Sequence, residues 1–62
     1  MSIQEYCNKK LDALHKVGDS CVLEGRITTL RSCVSRYQQE SNLMFNVKTI
    51  ENKLYVIVIK EK

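Results

Sequence analysis

Two adjoining stretches decide how this chain folds. They are Ile27-Thr-Thr-Leu-Arg-Ser-Cys-Val-Ser-Arg-Tyr37, and Leu43-Met-Phe-Asn-Val-Lys-Thr-Ile50 followed by Leu54-Tyr-Val-Ile-Val-Ile-Lys60. In the first, Ile27, Leu30, Val34 and Tyr37 recur at steps of three and four, and Cys33 widens the stripe. That spacing sets them on one face of a helix over 27–40, ended by Ser41-Asn42. Arg31, Ser32, Ser35, Arg36, Gln38 and Gln39 fall largely on the other face. In the second stretch successive side chains alternate between faces. Leu43, Phe45, Val47 and Thr49 share one face, and Met44, Asn46, Lys48 and Ile50 the other. Strands over 43–50 and 54–60 then form a hairpin joined at Glu51-Asn52-Lys53, where Asn tolerates the positive φ of a tight turn. The last strand is different. Leu54, Val56 and Val58 face one way, Tyr55, Ile57 and Ile59 the other, and all six are apolar. Such a strand sits centrally in its sheet or has its second face covered.

Working outward, Ser20-Cys-Val-Leu-Glu24 is a short strand-compatible piece between Gly18 and Gly25. Ahead of it, Ser2-Ile-Gln-Glu5 is a capping box, and Ile3, Cys7, Leu11 and Leu14 keep helical spacing. The pattern predicts a first helix over 3–16, closed by Gly18. The expected fold class is α+β in the order α-β-α-β-β: one domain, with an N-terminal helix in 1–17 and a β-α-β-β core in 18–62. Helix two is expected to pack across one face of a sheet built from 43–50, 54–60 and 20–24. Its contact set is Ile27, Leu30, Val34 and Tyr37.

Sixty-two residues supply one small core. Chains of this size bury only about 60% of their unfolded surface, so a partner or a staple is commonly needed. The three cysteines, Cys7, Cys21 and Cys33, are odd in number and widely spaced. Disulfide frameworks usually have an even count, and zinc knuckles pair ligands a few residues apart. The expectation is reduced thiols acting as small hydrophobes, with no metal. No stretch in 1–20 has the apolar core of a signal peptide, and the longest apolar run, 54–59, is far short of a membrane span. A cytoplasmic protein without membrane partners is expected.

The net charge is +3, and its placement is uneven. Residues 1–25 hold three Lys against four acids, residues 26–42 three Arg against Glu40, and residues 43–62 four Lys against two acids. The basic surplus lies on helix two and the hairpin, which favours an anionic partner: nucleic acid, a nucleotide or an acidic protein surface. Arg26, Arg31, Ser35, Arg36 and Gln39 are the candidate partner-binding residues. Arg suits phosphate or guanine edges and Gln suits adenine, and a solvated outer face has the same composition. No reaction is legible. Gly18 and Gly25 stand alone, so there is no phosphate-cradling loop. His15 is the sole histidine, with no motif to orient it. No enzymatic activity and no cofactor are expected.

The segment from Val17 to Lys60 resembles a group of small tailed-phage accessory proteins of unassigned function. The resemblance rests on Val17-Gly-Asp-Ser20, Leu30-Arg-Ser-Cys-Val-Ser-Arg-Tyr37, Phe45-Asn-Val-Lys48 and Leu54-Tyr-Val-Ile-Val-Ile59. It implies a β-α-β-β core with an added N-terminal helix, and no catalytic residues. Where that group's last strand ends with an aromatic and an Arg, this chain has Ile57 and Val58, which weakens any expectation of nucleic-acid contact there. The implied work is binding a host protein or factor to modulate or inhibit it, in host takeover or anti-defence. Binding of nucleic acid or a nucleotide by the face of helix two is the alternative. The two-faced last strand adds an expectation of self-association as a twofold dimer. Its interface would be Tyr55, Ile57 and Ile59, with Ile3, Leu11 and Leu14 close by, unless helix one covers that face.

Overall fold

The computed structural model describes residues 2–62. The elements run α1 (Ile3–Leu11), β1 (Ser20–Glu24), α2 (Ile27–Glu40), β2 (Leu43–Ile50) and β3 (Lys53–Glu61), the α+β order read from the sequence. Ser2 caps α1, its side chain accepting the Glu5 N–H at 3.1 Å. The helix stops at Leu11, five residues short of the expected end at 16. The cause is Asp19. Its Oδ2 accepts from the N–H groups of His15 (2.9 Å) and Lys16 (3.2 Å). A continued helix would send those amides to Leu11 and Asp12. The Leu14 N–H instead turns onto the Leu11 carbonyl at 2.9 Å, and the Leu14 side chain drops into the core. Gly18, at φ 97, closes this loop rather than the helix.

Helix α2 has neither a side-chain cap at Arg26 nor an acid in its first turn. It is held by packing, with Leu30, Cys33 and Val34 buried and Ile27 and Tyr37 partly so. Gly25, at φ 146, makes the bend from β1 into α2. A Cβ there would lie 3.8 Å from the Leu30 methyls, so it is the backbone angle rather than space that favours glycine.

The sheet is antiparallel in the order β1-β3-β2, which puts the strand with two apolar faces in the centre. Strand pairing fixes which residues share a face. Leu23, Leu54 and Thr49 form one row and Cys21, Val56 and Val47 another, both under the helices. Val22, Tyr55 and Lys48 form a row on the opposite face, and so do Ser20, Ile57 and Asn46. The register shifts between Met44 and Phe45, so that Phe45 pairs with Val58 and Met44 with Lys60, leaving Ile59 without a partner. That is a β-bulge in β3.

Both helices lie on the same side of the sheet, α1 beside α2 and against β1. Leu11, Leu23, Leu30, Leu54 and Val56 are fully buried between the layers. Of the two arrangements the sequence leaves open for helix one, the structure has the second sheet face uncovered, with Cys7 and Leu11 buried on the α2 and β1 side. One expectation is corrected here. Leu11 and Leu14 are sealed in the core, so neither can belong to an interface with Tyr55, Ile57 and Ile59.

The hairpin turn holds two residues, not three: Lys53 already belongs to β3, and both Glu51 (φ 51) and Asn52 (φ 64) are left-handed. Positive φ at both central positions is the type I′ turn, whose twist matches the flanking strands. Glu at the first of them is a poor fit, since a side chain in that region costs on the order of 1 kcal/mol. Replacing Glu51-Asn52 by Asn-Gly should therefore stabilise the fold by about 1 kcal/mol. A higher urea midpoint with an unchanged slope is the expected readout.

Candidate protein-docking site

The uncovered face is built by β3 and its two neighbours. Tyr55, Ile57 and Ile59 are 39%, 41% and 46% exposed on the central strand. A strand rises about 3.4 Å per residue, so from Tyr55 to Ile59, four residues on, the row spans roughly 14 Å. Half-buried Val22 lies beside Tyr55 on β1, and Ile50 lies at the β2 end of the same face. A shallow depression of about 270 Å³ opens among Ser20, Asn46, Lys48, Tyr55 and Ile57. Charge rims this apolar strip. Lys53 pairs with Glu24 at 3.5 Å, the single ion pair among the described residues. Lys48, next to Tyr55, and Lys60, opposite Met44, have no carboxylate offsetting them.

The five residues expected on a basic helix face are all exposed, but they do not converge. Arg31 and Arg36 are five positions apart, about 140° around the helix. Arg31 leans toward β2, donating from Nη2 to Thr49 Oγ1 at 3.3 Å. Arg36 and Gln39 turn the other way and line a groove of about 510 Å³ between α1 and α2, shared with Gln4, Asn8, Asp12 and Glu40. Ser35 lies between these two edges, and Arg26 is the N-cap. In the groove the two carboxylates outnumber the one guanidinium, which disfavours an anionic ligand. Asp12 Oδ1 accepts from Tyr37 Oη at 2.7 Å, tying α1 to α2. Burial, together with that bond and the carboxylate's charge, pushes the Tyr37 hydroxyl up from 10.0 to about 12. Gln4 Nε2 donates to Asn8 Oδ1 and the Cys33 carbonyl, while its Oε1 is buried without a partner.

The three thiols, far apart in sequence, are brought together in the core. Cys7 and Cys33 are both buried in the core, and half-buried Cys21 packs against the same cluster. Burial first, and the neighbouring Cys33 second, raise the Cys7 thiol from 9.0 to about 11. Burial also raises Cys21, opposed by Lys10. Only a thiolate is a good nucleophile or metal ligand, and the raised values of Cys7 and Cys21 disfavour that form. Among the described residues no set of three or more His, Cys, Asp or Glu side chains is arranged to hold a metal ion. A pH dependence follows. The folded-state value of Cys7 is raised, so the unfolded chain loses that proton first. The associated stability is complete below pH 9 and is lost as pH rises toward 11. At about 1.4 kcal/mol per unit the loss is roughly 2–3 kcal/mol. The raised Tyr37 value extends the decline upward. Urea midpoints at pH 8 and pH 11 measure it, and Cys7→Ala should remove much of the slope.

Helix side chains also blunt the sheet edges. Tyr6 Oη accepts the Glu24 N–H of β1 at 3.1 Å, and Gln38 Oε1 accepts the Phe45 N–H of β2 at 2.8 Å. Addition of a strand at either edge would have to displace these caps, which leaves the open face as the better docking surface. No described helix is long and apolar enough to cross a membrane. Alternation along the last strand identifies Tyr55, Ile57 and Ile59, but not Val22, Lys48 and Lys60, whose places depend on strand order and on the bulge. No protein-family model, no curated protein and no solved structure matches this chain.

Proposed function

We propose that this chain is a non-enzymatic binding module that acts by laying its uncovered sheet face on another protein. The observation that carries this reading is the row Tyr55, Ile57 and Ile59, three large apolar side chains left exposed on the central strand of a small domain. A contiguous apolar patch with a polar rim is how interaction surfaces are usually built. The phage-type resemblance adds a setting: an accessory protein in the cytoplasm of a host cell, occupying a host protein to modulate or inhibit it. Nucleic-acid or nucleotide binding by α2 has less support, since Arg31 and Arg36 diverge and carboxylates share the groove with Arg36.

The test is capture from a bacterial lysate by the immobilised chain, with and without nuclease, run beside Ile57→Asp. A nuclease-resistant protein lost with Ile57→Asp is the expected result. A catch that nuclease removes, or that Ile57→Asp retains, would overturn the reading.

A further inference from the structure

Resting on that docking reading, we infer that the occupant of the open sheet face is an acidic amphipathic helix of a partner protein. The first argument is charge. Lys48, Lys53 and Lys60 share this face with one acid, Glu24, giving a surplus of two positive charges around an apolar centre. A second copy of this chain stacked face to face would set these lysines against their own equivalents. A partner with carboxylates beside its apolar residues would meet them with opposite charge, which sets register and suppresses wrong partners.

The second argument is shape. The domain is two layers, helices on one face of a three-stranded sheet, and a helix on the bare face would complete a third. The fourteen residues of α2 already show that one helix of that length suits this sheet. The depression beside Tyr55, Ile57 and Lys48 offers a seat for one large apolar side chain from such a helix, the arrangement in which a central anchor carries most of the binding energy. Single-stranded nucleic acid is a poorer match, because stacking platforms need several aromatics and this face has Tyr55 alone.

The experiment uses three fluorescent probes titrated against the full chain. One is a stapled helix of about 18 residues with Leu at i, i+3, i+4 and i+7 positions and Glu elsewhere. The others are the same helix with Lys for Glu, and a single-stranded oligonucleotide. The acidic helix should bind at least about tenfold more tightly than either control, and its binding should weaken in part as salt rises. Lys48→Glu with Lys60→Glu should reverse the preference between the two helices. Lys9→Glu with Lys16→Glu, the same charge change at exposed positions outside this face, should not. Equal affinity for the two helices, no binding of the acidic one, or preference for the oligonucleotide would overturn the inference. So would a concentration-dependent dimer mass in light scattering that Ile57→Thr abolishes, since the occupant would then be a second copy. These outcomes are separable from failure of the docking reading itself, which the lysate capture with Ile57→Asp reports.

Discussion

Val34→Asp should leave no cooperative folded state. Val34 is 4% exposed in the middle of α2, among the residues buried against the sheet. Removing its side chain from the core forfeits about 1.5–3 kcal/mol of apolar burial. The carboxyl that replaces it would have no partner, because among the described residues no polar or charged side chain is buried in the core to receive it. Burying an unpaired polar group costs a further few kcal/mol even after it takes up a proton. Against this stands a total stability of about 3–9 kcal/mol for a chain of this length. Far-ultraviolet circular dichroism of the variant should show no sigmoidal melt. Thr28→Asp, on the exposed side of the same helix's first turn, is the control. That turn has no acid, so the new charge meets the helix dipole and should be neutral or stabilising by up to about 1 kcal/mol. A native-like melt for Val34→Asp would mean that α2 presents a different face to the sheet.

The sequence made some of this fold legible for identifiable reasons. The stripe Ile27, Leu30, Val34 and Tyr37 has only one reading as a helix face, and a strand apolar on both sides has few places to go but the centre of a sheet. The end of α1 was not legible, because it depends on the Asp19 side chain reaching back to two amides that periodicity assigns to the helix. Nor was the left-handed Glu51, where hairpin twist overrides what that residue prefers. The site was half legible. Alternation along β3 groups Tyr55, Ile57 and Ile59, but the presence of Lys48 and Val22 on either side of Tyr55 follows from the order β1-β3-β2. A bulge reassigns Lys60, and no propensity marks a bulge without the partner strand. The meeting of Cys7 and Cys33 in one core, with Cys21 packed against it, is topological in the same way: spacings too wide for a motif are closed by packing.

Ile57→Asp should do the reverse of Val34→Asp, sparing the fold and abolishing partner binding. Ile57 lies on the same sheet as the core residues Val56 and Val58 but points away from them, between Ser20 and Asn46. A carboxylate there stays in water, so the cost is mainly strand propensity, about 1 kcal/mol. The melting temperature should fall by only a few degrees, roughly 4–8 °C for each kcal/mol in a domain this size. In a complex the same carboxylate would sit at the centre of the apolar strip, where Tyr55 and Ile59 flank it. Disrupting a central anchor typically costs 2 kcal/mol or more, about thirtyfold in Kd, and burying a charge there adds to it. Ile57→Thr, β-branched and neutral, guards against an unexpected loss of folding and should weaken binding by a smaller factor. If both variants fold and bind as the parent does, the exposed row on β3 is ordinary surface, and the partner must be sought on another face.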